Sequence, residues 1–275
     1  MNRMMTLVSL VFLNLMSWVN PLSAAEPNLM MATTTSTDNT GLLEYLAPHF
    51  QKSTGILLRW TATGTGKALR LGENCDVDIL MVHAPNAEKE FVARGFGVNR
   101  REIMYNDFVI VGPTDDPAGL EGKDASTALR TIQTENAVFV SRGDNSGTHK
   151  KELYLWAAAK RSIPEKEPWY VQTGQGMLAT LNIAAERNGY TLTDRGTYIK
   201  YEAGLAGRAP FRILVEGEPV LINRYSVVPV NPEHCAKARY DLAMKFMDWI
   251  CAPQGQGLIR DFKLFDKPLF IPSAR

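Results

Sequence analysis

The stretch Ser141-Arg142-Gly143-Asp144-Asn145-Ser146-Gly147-Thr148-His149 constrains this chain more than any other. The apolar run Ala137-Val138-Phe139-Val140 precedes it, and Leu153, Trp156 and Ala157 follow at helical spacing. The pattern is strand, polar turn, helix. The first N–H groups of a helix have no partner within it, and with the helix dipole they suit an anion. Ser146 and Thr148 add hydroxyl donors. Arg142 adds a planar fork of N–H groups shaped for an oxygen-rich anion. Asp144 repels an anion but can orient Arg142. Ordinary capping and turn chemistry accounts for Asp144, Asn145 and Ser146 equally well. A second turn of the same kind decides between a cap and a site.

That second turn is Thr33-Thr34-Thr35-Ser36-Thr37-Asp38-Asn39-Thr40-Gly41, with six hydroxyl residues in nine positions. It follows the short apolar strand 29–32 and precedes a helix whose apolar stripe is Leu42, Leu43, Leu46 and Phe50. Open α/β sheets bind ligands at the C-terminal ends of their strands, and Thr35 and Ser36 stand there as candidate donors. A third strand-to-helix turn, Thr61-Ala62-Thr63-Gly64-Thr65-Gly66-Lys67, offers Thr63 and Thr65. It is not a nucleotide-phosphate loop: Thr61 stands where that motif needs glycine, and Ala68 where it needs serine or threonine.

The β–α alternation continues through strands at 78–82 and 108–111. It implies parallel strands with helices on both faces. At Gly112-Pro113 the composition changes to Asp, Gly and Pro, and at Val227-Val228-Pro229-Val230 a late strand returns. Two lobes are expected: 26–111 with 226–275, and 112–225, with crossings near 110–113 and 222–226. Residues 1–25 are set apart. Arg3, the apolar run 7–15 and Ser23-Ala24-Ala25 before Glu26 have the form of a cleaved secretory leader.

Without Arg3 the charge balances, since 30 Lys and Arg become 29 against 29 Asp and Glu. A neutral chain is a poor nucleic-acid binder. Of the three cysteines, Cys235 and Cys251 bracket a helical segment whose ends stand roughly 24 Å apart at about 1.5 Å per residue. A bridge needs Cα atoms closer than about 7 Å, so that pair is excluded. Buried free thiols are expected, although an oxidising compartment permits a bridge.

His49, His83, His149 and His234 show no metal-ligand spacing. Ser146 is not in a nucleophile elbow, which requires glycine on both sides. Donors without a base or nucleophile describe capture of an anion, so no catalysis, metal or cofactor is expected. A secreted hydrolase, in which a histidine or carboxylate reaches Ser146, is the competing reading.

These segments, with 174–181, 190–197, 223–232 and the tail from Gly255 to Pro272, resemble the periplasmic tungstate-binding proteins of bacterial ABC transporters over essentially the whole chain after residue 25. The resemblance implies a two-lobe α/β periplasmic binding fold of type II, each lobe a mainly parallel sheet flanked by helices. The ligand cleft lies between the lobes. It implies a soluble periplasmic receptor, expected to be monomeric, that delivers an oxyanion to a membrane permease. Phosphate-binding relatives carry Arg-x-Asp-x-Ser-Gly-Thr, and Arg142, Asp144, Ser146, Gly147 and Thr148 fall on those positions. By that likeness Arg142, Ser146 and Thr148 touch the anion and Asp144 steadies Arg142. Cys75 departs from the expected small residue, and Gln175-Gly176-Met177-Leu178 lacks the glycine usual after the methionine.

Tungstate is an unprotonated dianion near neutral pH and needs donors only. A protonated phosphate also needs a free carboxylate as acceptor. With Asp144 reserved for Arg142, Asp38 is the only other carboxylate nearby. Molybdate is nearly isosteric with tungstate, and the donors do not separate the two.

Overall fold

The computed structural model describes residues 26–274; the leader expected at 1–25 lies outside them. The first lobe begins β1 (Asn28–Thr34), α1 (Thr35–Asp38), α2 (Leu42–Thr54), β2 (Leu57–Thr63), α3 (Thr65–Glu73), β3 (Ile79–Val82) and α4 (Pro85–Ala93), and leads into β4 (Arg101–Pro113). Strands β2, β1 and β3 are parallel neighbours. Side chains alternate across a strand. Ile79 and Met81 of β3 therefore join the core under α2, while Leu80 and Val82 join the core under α3 and α4. A strand buried on both faces reads as an unbroken apolar run, as Ile79-Leu80-Met81-Val82 does. Gly41, at φ 78°, occupies the left-handed turn that launches α2.

The second lobe holds α5 (Ala125–Glu135), β5 (Phe139–Ser141), α6 (Gly147–Ala158), β6 (Tyr170–Gln172), α7 (Met177–Glu186), β7 (Thr191–Asp194), α8 (Arg195–Gly204) and β8 (Phe211–Val215). The chain returns through β9 (Ile222–Pro229) to α9 (Tyr240–Cys251), α10 (Pro253–Asp261) and three short strands, β10 (Lys263–Leu264), β11 (Lys267–Pro268) and β12 (Ile271–Pro272). β9 inserts between β3 and β4, antiparallel to both. The first lobe's sheet is thus mixed where the alternation suggested mainly parallel strands, because its fifth strand arrives from the other lobe.

β4 belongs to both lobes. Arg101 to Asp107 pair with β9, and Phe108 to Pro113 pair with β7 and β8. Residues 108–111, expected in the first lobe, therefore hydrogen-bond to strands of the second. Phe108 and Ile110 pack into one of its cores, and Val109 and Val111 into the other. The return is complete by Ile222, which pairs with Asp107 in the first lobe's ladder. The composition break at Gly112-Pro113 marks where β4 ends, not where it changes partners. Arg195 holds this junction: its fork donates to both oxygens of Asp107 at 2.6 Å, and its Nη2 also to Glu216 at 2.6 Å. These bonds to Asp107 and Glu216 outweigh burial and raise the guanidinium pKa further.

Cys75 and Cys235 form a disulfide with a Cα separation of 5.6 Å, which corrects the expectation of free thiols. The return through β9 carries Cys235 back beside the end of α3, a proximity across 160 residues that spacing along the chain does not reveal. Cys251 is free and half-buried. Because a bridge closing so long a loop restricts the unfolded chain strongly, replacing Cys75 and Cys235 together by serine is expected to lower stability by about 2–4 kcal/mol. Denaturant unfolding measures this. Thiol titration of the unfolded wild type should find one reactive group before reduction and three after.

Candidate functional site

The hydroxyl-rich turn after β1 is mostly self-satisfied. Thr33 Oγ1 donates to the Met81 carbonyl at 2.9 Å, and Thr40 Oγ1 to the Thr37 carbonyl at 2.7 Å. Thr34 caps α1 by accepting from the Thr37 N–H. The turn therefore contains a single helical turn rather than an open loop. Thr35 is exposed at its start and Ser36 is half-buried. Thr34 lies opposite Thr63 in the β1–β2 register, and Thr65, the first residue of α3, is buried. Two adjacent strand ends thus place Ser36, Thr63 and Thr65 on one rim of the first lobe.

The turn after β5 is anchored from below. The Glu152 carboxylate accepts from Ser141 Oγ and Tyr170 Oη at 2.6 Å each and from Trp156 Nε1 at 3.2 Å. Burial pushes its pKa up, opposed by those three bonds. Gly143, at φ 60°, needs glycine twice over: a Cβ there would stand 2.9 Å from the Gln172 Cβ. Above this base Arg142 donates through Nη2 to one oxygen of Asp144. The other oxygen of Asp144 accepts from the Ser146 N–H at 3.1 Å. Burial alone would raise the Asp144 pKa, but the bonds from Ser146 and the Arg142 charge outweigh it and hold the carboxylate ionised. Both oxygens of Asp144 are thus engaged within the turn. Ser146 caps α6 by accepting from the His149 N–H at 3.2 Å. The N–H groups of Gly147 and Thr148, at the first positions of α6, have no intrahelical acceptor. Arg142 Nε is buried and has no hydrogen-bond partner among the described residues.

The two rims meet. A Cβ built on Gly147 would stand 3.5 Å from His83 Cε1 and 3.9 Å from Thr65 Oγ1, although these residues belong to opposite lobes. Beside them a recess is lined by Ser36, Asn39 and Thr40 from one lobe and Leu178, Gly196, Thr197 and Lys200 from the other. Of the residues named from sequence, Ser36, Thr65 and Gly147 are thereby brought to the interface between the lobes, and Arg142, Asp144, Ser146 and Thr148 surround the Gly147 turn. Thr63 borders this group, and the Thr35 side chain lies exposed.

Sequence reasoning passed over His83. Its Nε2 lies 3.0 Å from Thr34 Oγ1 and 3.1 Å from Ser36 Oγ, and its Nδ1 lies 2.9 Å from Asn223 Oδ1. The ring stacks on Tyr225 with centroids 4.7 Å apart. Burial lowers its pKa, opposed by the Asn223 bond and the Asp194 charge, so the free site holds it neutral. The available signal was position: His83 directly follows β3, at the same strand end as Thr34 and Thr63. In the turn after β5, Ser146 Oγ meets the backbone N–H of His149 and not its ring. His149 uses Nδ1 to accept from the Asn145 N–H at 3.0 Å, so its ring is not a base for Ser146, and the carboxylate beside Ser146, Asp144, is held by Arg142. Asp38 accepts from Trp60 Nε1 at 2.7 Å and is also engaged.

Two lobes joined through a shared strand, with a hydroxyl-lined rim on one facing an arginine and open helix N–H groups on the other, define a solute-binding protein of the two-lobed class. The chain belongs to the PBP superfamily, whose domain matches residues 22–254, and within it to the family of the tungstate-binding protein TupA. The TupA of Campylobacter jejuni is 50% identical over 240 residues, 87% of this chain and 89% of that protein. The solved tungstate-binding protein TupA from Desulfovibrio alaskensis is 65% identical with a TM-score of 0.86, over 90% of this chain and 100% of that one. The structure of the tungstate ABC transporter from Geobacter sulfurreducens is 49% identical with a TM-score of 0.77, over 87% and 100%.

Because Asp144 has both oxygens engaged inside its own turn, Asp144→Asn should weaken anion binding indirectly, by freeing Arg142. The expected loss is on the order of tenfold, the scale of one charged hydrogen bond. Phosphate should gain nothing. Competition titration of the variant with phosphate checks both, and improved phosphate binding would mean that Asp144 faces the ligand.

Proposed function

We propose that this chain captures tungstate in the periplasm and delivers it to the permease of an ABC transporter. It is a binding protein and not an enzyme. The observation that carries this reading is the buried, unpartnered Nε of Arg142, beside the open N–H groups of Gly147 and Thr148. A buried donor without an acceptor costs about 1–3 kcal/mol, and a tetrahedral oxyanion in the cleft removes that cost. In this reading Arg142, Ser146, Gly147 and Thr148 hold the anion from the second lobe. Ser36 and Thr65 close on it from the first, with Thr35 and Thr63 at the rim. Asp144 has both oxygens engaged within its own turn, so it is not turned to a protonated anion, which favours an unprotonated dianion. Molybdate shares that chemistry. The reading includes cleavage of a leader after Ala25.

Calorimetric titration of anion-stripped protein with tungstate, molybdate, sulfate and phosphate tests the assignment, and tungstate should bind tightest. Arg142→Ala removes a charged, forked donor. It should cost roughly 3–5 kcal/mol, a loss of about a hundredfold to a few thousandfold in affinity. Arg142→Lys should recover part of this, since it restores charge without the fork. Ligand-free melts of both variants should stay near wild type. A folded Arg142→Ala that binds within about threefold of wild type would remove Arg142 from the site.

A further inference from the structure

We propose that His83 takes up a proton when the cleft closes on its dianion, so that capture of the anion is coupled to protonation of this ring. The inference rests on the reading above, in which the ligand carries two negative charges. Its basis is the charge inventory of the cleft and the geometry of one buried side chain.

In the second lobe the Arg142 charge is already matched by Asp144. Buried Asp194, at the end of β7, adds a carboxylate that acts electrostatically on His83. Asp38 adds another beside Ser36, and Lys200 at the edge of the recess is bonded to the Asn39 carbonyl. The Glu88–Arg100 pair beyond β3 is self-balanced. Among these side chains only Lys200 carries a positive charge unmatched by a carboxylate, and a dianion needs two. The start of α6 contributes only about half an elementary charge. Burying an uncompensated charge is costly, and a titratable neighbour responds by changing its protonation.

His83 is placed to respond. Asn223 Nδ2 donates to Asn106 Oδ1 at 2.8 Å and to Tyr225 Oη at 3.1 Å, so Asn223 Oδ1 is left as the acceptor for His83 Nδ1–H. The neutral ring then carries its lone pair on Nε2, where it accepts a hydroxyl proton from Thr34 or Ser36. One hydroxyl of the first lobe is thereby turned away from the cleft. When Nε2 is protonated it becomes a donor, and Thr34 and Ser36 accept from it. Their own protons are released, so that Ser36 can turn its O–H to the anion. A single proton adds a positive charge at the lobe interface and frees a hydroxyl donor. Asn223 needs no rearrangement, since Nδ1–H donates in both states. The Gly147 turn lies directly against the ring from the opposite lobe, so closure brings the ligand's charge to it. In the free protein, burial keeps the ring neutral. His149 lies farther along α6 and uses Nδ1 on its own turn, which leaves it no such exchange.

The sign follows from linkage. A group protonated only in the bound state makes affinity fall as pH rises between its free and bound pKa values, by about tenfold per pH unit for one proton. Tungstate should be titrated calorimetrically between pH 6.5 and 8.5, in pairs of buffers with different ionisation enthalpies. The apparent enthalpy should vary with buffer in proportion to the uptake of about one proton. The histidine ring-nitrogen NMR spectrum of the wild type should show one ring passing from neutral to doubly protonated on adding tungstate, a readout independent of any variant's folding. His83→Asn should bind with a buffer-independent enthalpy and a flat pH profile. A wild-type enthalpy that does not depend on buffer overturns the inference, as does a His83→Asn variant that still takes up the proton. Absence of any tungstate binding overturns the functional reading instead, so the two failures are distinguishable.

Discussion

One strand carries hydrogen bonds to both lobes, and the binding cleft depends on it. Up to Asp107 β4 is part of the first sheet, and from Phe108 it is part of the second. The return crossing runs through residues 216–221, with a 3-10 turn at Pro219–Leu221, and enters β9 beside the point where β4 changes partners. Arg195, bonded to both Asp107 and Glu216, stiffens the base of this junction. Asn106 and Asn223 lie on the same two strands and lead through His83 to Thr34 and Ser36. The junction and the rim of the first lobe are therefore one polar network in a buried setting.

The second lobe solves a different problem, that of holding a guanidinium ready inside a cleft. A free arginine would sample many rotamers, and fixing it on binding would reduce affinity. Asp144 fixes one end of the fork, Ser146 fixes Asp144, and buried Glu152 fixes the base of the turn. What remains unpaired is a single edge of Arg142 and the first N–H groups of α6. Preorganised donors of this kind favour a ligand that presents oxygens in all directions and brings no proton of its own.

Much of this was legible in the sequence because the relevant signals are local. Apolar runs of four residues ending in Thr or Ser, followed by helical spacing, identify strand, turn and helix without reference to the rest of the chain. Arg142, Asp144 and Ser146 lie within five residues, so their mutual geometry is set by one turn, and the pairing expected between them is present. The same local signals put Ser36 and Thr65 at strand ends. Thr35 was less well served, because the turn closes into a helical turn that leaves its side chain in solvent.

Contacts that join distant segments were decided by tertiary structure alone. The Cys75–Cys235 bridge spans 160 residues, and the His83–Asn223 bond spans 140. Neither has a spacing signature, because both arise from the insertion of β9 between β3 and β4. The change of partners along β4 is likewise invisible locally. Phe108 to Val111 are all apolar and buried, and hydrophobic pattern reports burial but not in which core. The sequence by itself determined that hydroxyl residues stand at the strand ends and that Arg142 and Asp144 share one turn, since turn chemistry is set by neighbours along the chain. Only the fold decided that two such turns face each other and that a neutral histidine stands between them. Those are facts of two crossings and one shared strand.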